Sequence, residues 1–173
     1  MKHLFILSIL LLGAMNISAQ TTAKTVKADK AAKINWLTLE EAQALNKTNP
    51  KKIMVDLYTE WCGPCKMMMK QTFTDPALIS YINENFYAVK FNAESQAPVT
   101  FKGKLYSNPT FNPAKTPRQR NAVHEYTRTT GIRGYPTLII YNSEVEIIDR
   151  IVGFQKAPQV MRKLKKLKKT TTP

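Results

Sequence analysis

Two cysteines stand three positions apart in Trp61-Cys62-Gly63-Pro64-Cys65, and the chain has no others. At i,i+3 on a helix, two such side chains lie within reach of one disulfide. A bridge that short closes too small a loop to restrict the unfolded chain much, so the pair is better explained by chemistry than by stability. The motif falls where a strand ends and a helix begins, which puts Cys62 at a helix N-terminus. Unsatisfied N–H groups and the helix dipole favour an anion there. The spacing therefore predicts a Cys62 thiolate that is stabilised and nucleophilic near neutral pH. Cys65, one turn inside, is expected to be less exposed and to act second. Structural zinc is not expected, because only His3 and His124 could add to two cysteines and His3 lies in the leader described below. No metal or cofactor is predicted.

The elements that hold this pair can be traced from the apolar pattern. Thr38-Leu39-Glu40-Glu41 has capping-box spacing and opens a short helix to about Lys47, stopped at Asn49-Pro50. Lys52 to Tyr58 is a mostly apolar run of strand length, read as a buried central strand in which Asp56 is unexpected. A helix follows Pro64, and another begins at Asp75-Pro76 with Leu78, Ile79 and Ile82 at helical spacing. Three consecutive methionines, Met67 to Met69, cannot share one helix face, so at least one is assigned to the core. Phe86 to Phe91 is strand-like again, and this alternation indicates crossovers and a parallel pair. Residues 95–118 carry Pro98, Pro109, Pro113 and Pro117 and read as a turn-rich insertion, with a short strand within Phe101 to Tyr106. A helix from about Arg120 to Thr129, ending at Gly131, returns the chain to the core. Thr137 to Tyr141 and Val145 to Val152 are expected as an antiparallel pair about an Asn142-Ser143 turn. Val160, Leu164 and Leu167 mark one face of a last helix.

Three separate segments together resemble the thioredoxin superfamily: Val55 through Cys65, Gly131-Ile132-Arg133-Gly134-Tyr135-Pro136-Thr137-Leu138, and Gly153 after Arg150-Ile151-Val152. The resemblance spans about residue 34 to 169 apart from the insertion. It implies an α/β thioredoxin fold, a central mixed β-sheet flanked by helices, with the insertion around residues 95–118. By that resemblance Cys62 attacks a substrate disulfide and Cys65 resolves the mixed disulfide. Asp56 matches a buried acid that accepts the Cys65 proton. Lys90 matches a lysine beside that acid. Pro136 is implied to be cis and to set the Tyr135 backbone beside Cys62, where it can pair with an extended substrate segment. Trp61, Gly63, Pro64 and Thr137 complete the implied substrate-binding set. Other readings stay open: Asp56 as a solvated strand-end acid, Lys90 as an exposed strand lysine and Pro136 as an ordinary trans turn proline. Tyr135 is bulkier than the small or aliphatic residue associated with its position, a departure that bears on substrate range.

Gly63-Pro64 places no histidine or charge between the cysteines to stabilise the thiolate further, which predicts a comparatively reducing pair, although Lys66 adds a nearby cation. The implied activity is reduction of protein disulfides, with an oxidase or isomerase as the same chemistry reversed. A non-catalytic binding module using 95–118 as an interaction arm is the competing class. Lys2-His3, the apolar run Leu4 to Met15 and Ile17-Ser18-Ala19 read as a signal peptide over 1–19. That run is shorter than the about 20 residues a membrane span needs, though an uncleaved anchor stays open. Residues 20–33 read as a flexible linker and 34–173 as the domain. Cleavage after Ala19 would remove Lys2 alone among the charges, lowering the net charge from +14 only to +13. Export implies the periplasm, disulfide-containing exported proteins as substrates, and a membrane-embedded thiol electron donor. Basic residues crowd the last helix; they suit a solvated face or weak attraction to a membrane surface, while no aromatic-interleaved basic motif suggests nucleic acid. A monomer is expected.

Overall fold

The computed structural model describes residues 33–169; the expected signal peptide and nearly all of the expected linker lie outside the described residues. In chain order the elements begin with β1 (Trp36–Leu37), α1 (Leu39–Thr48), β2 (Lys52–Tyr58), α2 (Gly63–Gln71), α3 (Pro76–Asn85) and β3 (Phe86–Asn92). They continue with β4 (Val99–Phe101), β5 (Lys104–Tyr106), α4 (Glu125–Thr129), β6 (Thr137–Tyr141), β7 (Ile147–Val152) and α5 (Ala157–Lys169). One sheet runs in the order β1-β3-β2-β6-β7, and β4 and β5 form a separate hairpin. β1, β3 and β2 are parallel, whereas β6 runs antiparallel to β2 and β7 antiparallel to β6. The sheet is mixed and flanked by helices, as the sequence implied.

β2 is apolar along most of its length because both faces of the central strand are covered. Ile53, Val55 and Leu57 enter one core with Leu39 and Ala42 of α1, Tyr126 of α4, and Ile139 and Tyr141. Met54 enters the other with Met68 of α2, Leu78, Ile79 and Ile82 of α3, and Val160 and Leu164 of α5. Side chains alternate along a strand, so Asp56 shares the Met54 face, the one that α2 covers. Among the three methionines Met68 is core, Met67 is exposed and Met69 packs at the edge. The helix starts are fixed locally: Thr38 and Glu41 form the reciprocal capping box, and Asp75 accepts from Leu78 N–H at 2.8 Å ahead of Pro76.

Three expectations change. The helix expected from Arg120 starts at Glu125, because the chain just before it is committed elsewhere: the Asn121 and His124 N–H groups donate to the Glu94 carboxylate and the Ala93 carbonyl. The last strand begins at Ile147 rather than Val145, whose φ of 61° is left-handed and incompatible with a strand. The short strand expected within Phe101 to Tyr106 is a hairpin about Lys102 and Gly103, at φ 52° and 75°. The insertion is no free arm. Gln43 Nε2 donates to Thr100 O at 2.8 Å, Lys102 N–H donates back to Gln43 Oε1 at 2.8 Å, and Phe101 stacks edge-on against Tyr126 at 5.0 Å.

Candidate active site

β2 ends at Tyr58, the chain turns through Thr59 to Cys62, and α2 starts at Gly63 with Pro64 in its first turn. Pro64 suits that position because its missing N–H is one the helix start leaves unpaired anyway. Cys62 is the helix N-cap: its Sγ accepts the Cys65 N–H at 3.1 Å. The two sulfurs form a disulfide, with Cα atoms 5.3 Å apart. The expected difference in exposure is not found. Cys62 is 2% exposed and Cys65 4%, because the bridge packs the sulfurs against each other at the helix end. What separates them is the space each one meets. Cys62 lines an open groove of about 580 Å³ with Trp61, Gly63, Pro64 and Tyr135, and Cys65 lines a smaller cavity of about 100 Å³ with Tyr58, Lys66 and Lys90.

Asp56 is 2% exposed, and its Oδ1 is buried without a hydrogen-bond partner. Burial pushes its carboxyl up to about 7, opposed by the charge of Lys90. Lys90 is the cross-strand partner of Asp56 in the parallel β2–β3 register. It is half-buried, with Nζ 4.5 Å from the Tyr58 ring centroid. Burial also raises the Tyr58 phenol to about 12, so it stays a neutral wall of the small cavity. A buried carboxyl titrating near neutrality, on the sheet face beneath α2, can exchange a proton at the pH where thiols react.

On the open side the Tyr135–Pro136 peptide bond is cis, and Tyr135 meets Trp61 edge-on at 6.0 Å. Behind Trp61 lies Glu94, 7% exposed, whose Oε2 accepts the indole Nε1–H and the Asn121 N–H, each at 3.0 Å. Arg120 lies over the Trp61 ring, its guanidinium carbon 4.6 Å from the centroid.

The thioredoxin-like domain family matches residues 39–168. The chain belongs to this family. Among its relatives, the "Thiol:disulfide interchange protein DsbD" of Photorhabdus laumondii is 29% identical over 137 residues, which is 78% of this chain and 19% of the relative. The protein of the same name from Tatumella citrea is 31% identical over 128 residues, 73% of this chain and 18% of the relative. The chain thus spans about a fifth of the length of these curated relatives. A solution structure described as a disulphide-isomerase candidate from Bacteroides thetaiotaomicron is 29% identical, with a TM-score of 0.55 over 79% of this chain and 93% of that one. A thioredoxin from Thermus thermophilus shares the fold at a TM-score of 0.57 and 18% identity, covering 79% of this chain and 88% of that one.

Within this thioredoxin-like domain, Trp61, Cys62, Gly63, Pro64 and Tyr135 come together around the groove, and Cys65 and Lys90 around the small cavity. Asp56 sits behind in the sheet. Pro136 and Thr137, expected at the substrate, line neither space: both are buried, and the Thr137 hydroxyl donates to the Gly134 carbonyl at 2.9 Å. Sequence reasoning missed Glu94, Arg120, Asn121 and Arg133, which with Val123 and Gly134 supply the rest of the groove wall. Glu94 had one legible signal, an acid directly after an apolar strand, but its partners lie 27 and 33 positions away.

Proposed function

We propose that this protein is an exported thiol:disulfide oxidoreductase that reduces disulfides in other exported proteins. The observation that carries the reading is the Cys62–Cys65 disulfide at the α2 N-terminus, with Cys62 on an open groove and Cys65 on a cavity shared with Lys90. In the reduced form the Cys62 thiolate attacks one sulfur of a substrate disulfide. A Cys62–substrate disulfide forms and the other substrate sulfur leaves, taking a proton. Asp56 accepts the Cys65 proton, and the Cys65 thiolate attacks Cys62, re-forming the intramolecular disulfide and releasing the second substrate thiol. Two electrons pass from the protein dithiol to the substrate. The names of the DsbD relatives support interchange as the chemistry.

Reduction is the favoured direction because Gly63-Pro64 places no histidine or charge between the cysteines to stabilise the thiolate further, which keeps the pair comparatively reducing. Residues 1–19 act as the signal peptide and 20–33 as a tether, the protein works in the periplasm as a monomer, and a membrane-embedded thiol relay returns its electrons. No helix among the described residues is long and apolar enough to cross a membrane. The deciding assay is insulin reduction by the full chain beside Cys62→Ser. A wild-type rate no faster than Cys62→Ser refutes exchange at this pair. A redox titration against glutathione fixes direction: a potential near the strongly oxidising end, about −120 mV, refutes a reductase. Mass spectrometry of protein recovered from the periplasm, starting at Gln20, checks export and cleavage.

A further inference from the structure

The groove beside Cys62 has an electrostatic bias that the exchange chemistry does not require. Two of its wall residues are exposed cations from different segments: Arg120, between the insertion and α4, and Arg133, on the turn before the cis proline. Arg120 is held by its stacking on Trp61, so its charge stays beside the reactive sulfur at little further cost in side-chain entropy. The one acid in the wall, Glu94, is buried and already accepts the Trp61 indole and Asn121 N–H groups. On the other side of the disulfide, Lys66 and Lys90 accompany the exposed Glu60. The remainder of the groove is aromatic or uncharged: Trp61, Tyr135, Val123, Gly63 and Pro64. A space of about 580 Å³ takes a few residues of extended chain.

We infer that this groove selects protein segments bearing an acidic side chain next to the cysteine under attack, read by Arg120 and Arg133, which both line it. The inference deepens the exchange reading and rests on it. An extended segment that presents its sulfur to Cys62 lays its flanking side chains in the groove that both guanidiniums line. A carboxylate there gains two attractive partners, and a lysine meets two repulsive ones. Arginine is suited to the task because its planar fork pairs both carboxylate oxygens. Arg120 lies ahead of α4 and Arg133 ahead of the cis proline, so the specificity comes from segments outside α2 and β2, which hold the chemistry.

The test uses the pre-reduced full chain and three synthetic peptide disulfides, identical except for Glu, Gln or Lys on each side of the cysteine. Second-order rates of protein oxidation are followed by mass spectrometry. At low ionic strength the Glu peptide is expected to react about tenfold faster than the Lys peptide, the combined effect of two partly exposed charge pairs. In about 1 M salt, where screening acts within roughly 3 Å, the ratio should fall towards one. Arg120→Gln with Arg133→Gln should collapse the ratio at low salt, Arg120→Lys should lower it part-way because it keeps the charge without the fork, and Lys102→Gln, outside the groove wall, should leave it intact. A wild-type ratio within about twofold of one, or one that the double substitution does not lower, overturns the inference while exchange itself stands. The salt series needs no variant, so it decides even if a substituted protein folds poorly. Absence of exchange with all three peptides overturns the exchange reading and this inference together.

Discussion

Replacing Asp56 by Asn removes a charge that the fold makes costly to form. Asp56 is 2% exposed, its Oδ1 has no hydrogen-bond partner, and burial raises its carboxyl from the ordinary 3.8 to about 7 against the opposing charge of Lys90. A carboxyl that holds its proton more tightly folded than unfolded makes the native state the greater proton binder between those two values. Stability is then highest below the lower value, falls as pH rises through the window, and levels off above about 7. The whole displacement amounts to about 4 kcal/mol against the native state once Asp56 is ionised. Asn carries no such penalty, and the displacement already includes the Lys90 attraction that is lost with the charge. The oxidised Asp56→Asn protein should therefore exceed wild type by about 4 kcal/mol near pH 8, and differ by less than about 1 kcal/mol near pH 4. Urea unfolding with the disulfide intact, at several pH values and with equal slopes, measures this directly. A variant no more stable than wild type at about pH 8, or a wild-type profile flat from about 4 to 8, refutes the buried-acid reasoning. The same substitution should slow release of substrate from the Cys62 mixed disulfide by about 10²-fold, since Cys65 loses its proton acceptor.

Two further substitutions test the packing around the site. Glu94→Gln weakens the bonds from Trp61 Nε1 and Asn121 N–H, so it should cost about 1–3 kcal/mol in urea unfolding and shift the Trp61 fluorescence. Tyr126→Phe strands the buried Tyr141 hydroxyl, now 2.9 Å from its partner, and should cost about 1–2 kcal/mol with exchange rates unchanged.

The parts of the fold legible in the sequence are those written locally. Cys62 at the helix start follows from a strand-length apolar run meeting Gly63-Pro64, and the α1 start follows from Thr38 and Glu41, whose side chains bond within the same turn. What stayed hidden is non-local. The segment before α4 has the composition of a helix, but the Asn121 and His124 amides are drawn off by Glu94 and Ala93 across the fold. β1 has two residues and no period to detect, and its place in the sheet comes from pairing with Ala88 and Val89. Thr137 looked like a substrate contact because it follows Tyr135-Pro136, yet the strand it begins turns its hydroxyl back on Gly134. The equal burial of the two cysteines could not be anticipated from helical position, because it is set by the bridge between them.

The division of space around the disulfide carries its own consequence. The groove at Cys62 and the cavity at Cys65 share no lining residue, and they hold different chemistry: Arg120 and Arg133 on one side, Lys90 and Tyr58 on the other, with Asp56 behind. Groups without shared partners act additively, so substrate choice and proton transfer should be separable in this protein. Asp56→Asn should move the pH midpoint of mixed-disulfide resolution without altering the Glu-to-Lys peptide ratio. Arg120→Gln should lower that ratio without moving the midpoint. In the double variant each readout should match that of the corresponding single, to within the roughly 0.3–0.5 kcal/mol typical of independent sites. A midpoint that moves with Arg120, or a peptide ratio that moves with Asp56, would mean that charge is felt across the sulfur bridge. The two sides would then have to be treated as one coupled site.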